Sequence, residues 1–223
     1  MSTAFVLAGG GSIGAVQVGM LRELLAHGVK PDLVVGLRRL LETHLPFREL
    51  ERAAIPLHVV ATDLLGGGLV KLSSGSAAEA VLASCAIPGA FPPVHIGEHH
   101  LVDGAVASNT PIRVATELGA TRLVVLPSGY ACALESPPRG AIATALHAIT
   151  LMIAHQLVRD LEGCGGQIEI LTVPPLCPLA VSPYDFSHGA ELIERAAAQT
   201  RRWLQQGGLK KQRIPGALRP HED

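Results

Sequence analysis

The chain has 223 residues, with 18 Lys and Arg against 19 Asp and Glu, and a formal charge of -1 gives no basic footprint for a nucleic acid. Hydrophobic residues make up 48% and charged residues 17%, which excludes a disordered or solvated chain and suits one larger domain with a proper core. Cys85, Cys132, Cys164 and Cys177 show neither C-x-x-C nor zinc-ligand spacing, so the sequence gives no disulfide framework and no structural metal, and a reducing cytoplasm suits it.

Short apolar runs alternate with amphipathic segments, the rhythm of an α/β sheet with helices on its faces. No basic leader followed by an apolar run opens the chain, so no signal peptide is expected. Strands are predicted at "TAFVLAG", "DLVVG", "PLHVVATDL", "HHLVDGAV", "TRLVVLP" and "IEILTV". Helices are predicted over 13–27, 76–84, 111–118, 140–162 and 188–206. In the first, Val16, Met20, Leu21, Leu24 and Leu25 recur at helical spacing and Gly28 supplies the stop. Ser76 and Glu79 spell a capping box for the second. The apolar stretch "IATALHAITLMIAHQLV" is too short to span a bilayer comfortably. "VPPLCPLAVSP" reads as an irregular connector. Residues 1–206 are taken as one domain and 207–223 as a solvated C-terminal tail.

The stretch "LAGGGSIGAVQVGML" admits several readings. As G-x-G-x-x-G it is a dinucleotide fingerprint, yet "DLVVG" ends in Gly36 and Leu37 where an acidic residue would bond a ribose. No Lys-Ser or Lys-Thr follows, as a P-loop requires. Gly10 to Gly14 also spell G-x-S-x-G, with Ser12 as a nucleophile between strand and helix. A tight turn without chemistry needs the same small residues. Finally, consecutive glycines let backbone N–H groups converge at a helix N-terminus, which is how an oxyanion hole is built.

An oxyanion hole needs a base, and Asp103-Gly104-Ala105 in "LVDGAVASNTPI" offers one. A hairpin turn is the plainer account of Asp-Gly. The loop "ASCAIPGAFPPV" before it is rich in Pro, Gly and small apolar residues and would form the wall of a site. His95, Glu98, His99 and His100 in "HIGEHH" lie around a predicted hairpin turn, where exposure explains them better than a metal.

Taken in order, "LAGGGSIGAVQVGML", "KPDLVVG", "VVATDLLGGG", "ASCAIPGAFPPV", "LVDGAVASNTPI" and "DFSHGAELIERA" resemble a bacterial patatin-like phospholipase over nearly the whole chain. The resemblance implies a three-layer α/β/α sandwich with a mostly parallel central sheet and a Ser–Asp dyad. It makes Asp103 the dyad base within the D-G-A motif, assigns Gly9, Gly10, Gly11 and Gly14 to the oxyanion hole, and leaves Ser12 a loop residue. In that family the second strand runs into G-x-S-x-G. Here Arg38 and Leu40 stand where the serine and the next glycine belong, so the nucleophile elbow is absent after Gly36. It is as if a block carrying the elbow and its helix had been excised. Leu37 to Ala54 still supply 18 residues, and a parallel crossover needs at least ~10–12.

The resemblance thus implies a cytoplasmic serine lipid acyl hydrolase acting on phospholipids or similar acyl lipids at a membrane surface, with no cofactor and no nucleic acid partner. Without its serine the chain is expected to be inactive. A non-catalytic lipid- or acyl-binding pseudoenzyme is the alternative, and a dinucleotide-binding protein a further one.

Overall fold

The computed structural model describes residues 2–9, 11–35, 47–88, 91–134, 136–163, 168–182, 185, 187–210 and 214–219. The junction after Gly36, with Arg38 and Leu40, and Gly10 of the glycine loop lie outside them. The chain forms two compact units, one from Met1–Gly9 and Pro31–Leu123, the other from Gly10–Lys30 and Val124–Asp223.

In the first unit the apolar runs become strands β1 (Thr3–Leu7), β2 (Leu33–Val35) and β3 (Leu57–Asp63), paired in parallel with Phe5 opposite Val34 and Val35 opposite His58. Three more strands add antiparallel ladders: β4 (Leu69–Leu72), β5 (Val94–Ile96) and β6 (His99–Asp103). The order within this unit is β5-β6-β3-β2-β1, with β4 also on β3. Ala61 and Thr62 pair with both β4 and β6, so β3 is held on both edges there. Helix α2 (Ala77–Ser84) starts where the sequence predicts, with Ser76 Oγ accepting from Glu79 N at 3.3 Å. Its Ala77, Ala80 and Val81 pack with Leu50, Leu57 and Val59 into the unit's core. Short helices α3 (Ala105–Ser108) and α4 (Ile112–Glu117) follow β6, and β7 (Arg122–Leu126) continues the chain into the second unit. The predicted α/β class holds.

The second unit holds α1 (Ala15–Ala26), α5 (Ala141–Gly163), β8 (Glu169–Thr172) and α6 (Gly189–Gln205). Helices α1 and α6 pack closely at Gly19, where an added Cβ would run into the Ile193 carbonyl oxygen and lie 2.7 Å from Ala197 N. Only glycine permits this approach. The stripe differs from the predicted one at several places, for Leu21 is only half-buried and Gln17 is buried. Leu25 is exposed and Glu23 is buried instead, because Arg201 on α6 grips its carboxylate through Nε at 3.0 Å and Nη2 at 2.9 Å. That hydrogen bond, against the opposing effect of burial, holds the Glu23 carboxyl below the usual carboxylate range. Gly28 closes α1 at φ +76°, as its position predicts.

Three corrections follow. "HHLVDGAV" is not one strand, since β6 stops at Asp103 and α3 begins two residues later. Strands β4 and β5 escape the pattern because both are short and half-exposed, without a clean apolar face. The C-terminal segment is not wholly solvated. Leu218 is buried, and Tyr130 Oη donates to Arg219 O at 3.1 Å.

Two outcomes test the α1–α6 contact. Gly19→Ala should destabilise by ~1–3 kcal/mol, read by chemical denaturation, because the obstacle is helix backbone that cannot step aside. Glu23→Gln should lower the Tm at neutral pH. Since the folded carboxyl titrates below its ordinary value of 4.5, the contribution is fully present above pH 4.5 and fades as pH falls through the folded value. The Tm gap between wild type and Glu23→Gln should therefore close in acid.

Candidate active site

Asp103 ends β6 with only 5% of its surface exposed. Three contacts fix it. Its N–H donates to Ala86 O at 2.9 Å, tying it to the residue just past α2 and its C-cap Cys85. Its carbonyl accepts from Thr62 Oγ1 at 2.9 Å, and its Oδ1 accepts from Ala105 N at 2.9 Å. The last is a side chain bonding the backbone two residues on, which turns the chain from strand into helix and sets the carboxylate at the start of α3. Asp-Gly is therefore a strand-to-helix corner here and not the hairpin turn it resembles.

Gly104 makes the corner possible. A Cβ there would sit 2.5 Å from Val60 O, so the backbone lies directly on β3. Thr62 completes the joint, because its Oγ1 also accepts from Ala107 N at 3.1 Å. One hydroxyl thus bridges the end of β6 and the first turn of α3. Thr62 escapes sequence reasoning, since in "VVATDL" it reads as an ordinary strand residue.

Of the glycine loop, Gly9 belongs to the same unit as Asp103. It is clasped by Asn109, whose carbonyl accepts from Gly9 N at 3.1 Å and whose Nδ2 donates to Gly9 O at 3.4 Å. A Cβ on Gly9 would meet Asn109 Oδ1 at 2.6 Å. Asn109 lies one residue past α3, so the corner begun by Asp103 ends against the first glycine of the loop. Gly11 to Gly14 form a 3-10 turn leading into α1 in the second unit. Ser12 within it is 3% exposed and its Oγ donates to Ser182 O at 3.1 Å. Its hydroxyl is engaged in holding the turn to the connector after β8.

The elements around Asp103 carry large apolar side chains in the open: Leu82 on α2 is 56% exposed, Phe91 in the loop before β5 58%, and Val106 on α3 58%. These surroundings suit an apolar ligand better than a charged one. His95 and His100 stack edge to face across β5 and β6 with ring centroids 4.7 Å apart, and His99 Nδ1 lies 3.9 Å from Asp63 Oδ1. Among the described residues no group of three or more His, Cys, Asp or Glu side chains gathers as a metal site. Among them, too, no helix is long and apolar enough to cross a membrane.

Comparison with known proteins bears on the same region. Residues 36–116 match the family model described as patatin-like phospholipase, a span that takes in Thr62, Asp103, Gly104, Ala105 and Asn109 but not Gly9 to Gly14. An uncharacterized NTE family protein of Mycobacterium bovis is 46% identical over 55 residues, which is 25% of this chain and 9% of that protein. Uncharacterized NTE family proteins of two Mycobacterium tuberculosis strains match to the same extent. The matched segment spans less than a tenth of these relatives' length.

The clasp between Gly9 and Asn109 can be measured by a double-mutant cycle. Gly9→Ala should destabilise the wild-type chain, and much less so in an Asn109→Ala background where the obstructing amide is gone. A coupling of ~0.5–3 kcal/mol by thermal or chemical unfolding is expected for groups in direct contact. Additivity of the two changes would remove the clasp.

Proposed function

We propose that this chain, patatin-like over its matched residues, is a lipid acyl hydrolase scaffold of the Ser–Asp dyad type that retains its base and has lost its nucleophile. The family's chemistry is lipid hydrolysis, and a phospholipid or similar acyl lipid is the substrate class it implies. The observation that carries the reading is the buried Asp103 carboxylate. It is held at the strand-to-helix corner by Ala105 N, within the residues that match the family model, and a buried carboxylate is uncommon. In the scheme, Asp103 takes the proton from a serine as that serine attacks the ester carbonyl, and the resemblance gives the oxyanion to the backbone of Gly9, Gly10, Gly11 and Gly14, of which the Gly9 N–H already donates to Asn109 O. Water then hydrolyses the acyl-enzyme.

Arg38 stands at the position of that serine, and an arginine can neither be acylated nor give up a proton to Asp103 in the serine's place. Ser12 does not replace it, since its buried hydroxyl already donates to Ser182 O. The chain as written is therefore inactive in this reading, needs no cofactor, and works in the cytoplasm with peripheral contact to a lipid surface. A second reading, an acyl-binding protein without turnover, is favoured by the exposed Leu82, Phe91 and Val106 on elements of the same unit as the retained aspartate. Dinucleotide binding has no such support, for no acidic residue stands at the end of β2, which runs into Gly36 and Leu37 in the sequence.

A fluorophosphonate probe should fail to label the protein, and short-chain ester turnover should stay near background. Residual catalysis of roughly 10³–10⁴ over water is compatible with positioning and electrostatics alone, but it would leave no acyl-enzyme. Inserting a G-x-S-x-G segment with its helix after Gly36 should restore labelling, and Asp103→Asn should then suppress it. Stoichiometric labelling of the unmodified chain that vanishes in Ser12→Ala would overturn the assignment. A fatty acid that binds without turnover would select the second reading, and micromolar binding of a nicotinamide cofactor would revive the third.

A further inference from the structure

Beyond β7 and β8 the chain continues in two irregular segments, 127–134 and 173–182, that run side by side within the second unit. Val173 N donates to Val125 O at 3.0 Å and Ala133 N to Leu179 O at 3.1 Å. Gly129 approaches so closely that a Cβ on it would lie 3.0 Å from Pro175 Cβ. This pairing sets Cys132 Sγ 3.2 Å from Cys177 Sγ, although 45 positions separate them in sequence. Neither thiol is in a disulfide, and both are half-buried. The cysteine spacing, which gives no disulfide framework on inspection, conceals this juxtaposition.

We propose that Cys132 and Cys177 form an oxidisable dithiol that a peroxide converts to an intramolecular disulfide. The sulfurs must approach by only about 1 Å to reach bonding distance, and the two segments are already held together by backbone hydrogen bonds. The Cys132 thiolate attacks the peroxide, the O–O bond breaks, and Cys132 becomes a sulfenic acid while the departing hydroxide takes up the proton released by the thiol. Cys177 then loses its proton and attacks Cys132 Sγ. The S–O bond breaks and a second water leaves with that proton, so the thiol pair gives two electrons to the peroxide. Burial first, then the hydrogen bond and charge of Cys132, push the Cys177 thiol up to about 11.

The site has a structural consequence. Ala131 and Leu134, flanking Cys132 in the chain, line a cavity of about 940 Å³ together with Arg139, Leu146, His147 and Ser182. A disulfide would fix one wall of that cavity to the connector after β8.

The test uses the intact chain treated with hydrogen peroxide, followed by non-reducing peptide mapping and intact mass. Loss of about 2 Da, a cross-linked peptide joining Cys132 to Cys177, and full reversal by dithiothreitol are expected. In Cys177→Ser, dimedone should trap a sulfenic acid on Cys132. Stepwise oxygen addition to wild type without cross-linking, or a linkage through Cys85 or Cys164, would overturn the proposal. Because mapping of the wild-type chain decides it, poor folding of a cysteine variant does not obscure the answer.

Discussion

The Thr62 hydroxyl is the joint on which the candidate site turns. It is buried, so both its donor and its acceptor capacity must be met inside the protein, and it spends them on Asp103 O and Ala107 N. Those two groups belong to the end of a strand and the beginning of a helix, where backbone partners run out. The aspartate between them therefore inherits its position from β3, the strand held on both edges over Ala61 and Thr62. A carboxylate placed in this way sits on a rigid element, with its orientation fixed by Ala105 N.

Regular elements with a strong local signal were legible before any coordinates. The Ser76 cap, the Gly28 stop, the parallel strands and the long helices all fall within a few residues of their predicted places. What stayed hidden was what distant residues do to one another. Glu23 reads as a surface residue until Arg201, 178 positions later, arrives to neutralise it. Cys132 and Cys177 look unrelated until two strand extensions align. Asp-Gly is ambiguous because the same dipeptide suits a hairpin and a strand-to-helix corner, and only the close approach of Gly104 to Val60 decides between them. Asp103 and the glycine loop stand out as candidates from their motifs, whereas Thr62 and the clasp of Asn109 on Gly9 do not.

The two G-x-S-x-G-related features of this chain show how little a short motif settles. Gly10 to Gly14 have the spelling and the strand-then-helix setting of an elbow, yet the Ser12 hydroxyl is buried and donates to a carbonyl. After β2, where the resemblance calls for the serine, the chain offers arginine and leucine. A nucleophile requires an exposed oxygen within reach of its base, which is a condition on geometry that spelling does not carry.

The packing of α1 against α6 bears on how the chain is made. The second unit is assembled from two separated stretches, Gly10–Lys30 and Val124–Asp223, and the glycine at its tightest crossing is matched to Ile193 and Ala197, which are synthesised long after it. Until α6 is synthesised, α1 lacks the helix it packs against and the Glu23 carboxylate lacks the Arg201 guanidinium. The first helix must therefore wait until α6 has been made, and a ribosome that stops before α6 releases a chain suited to chaperones and proteases.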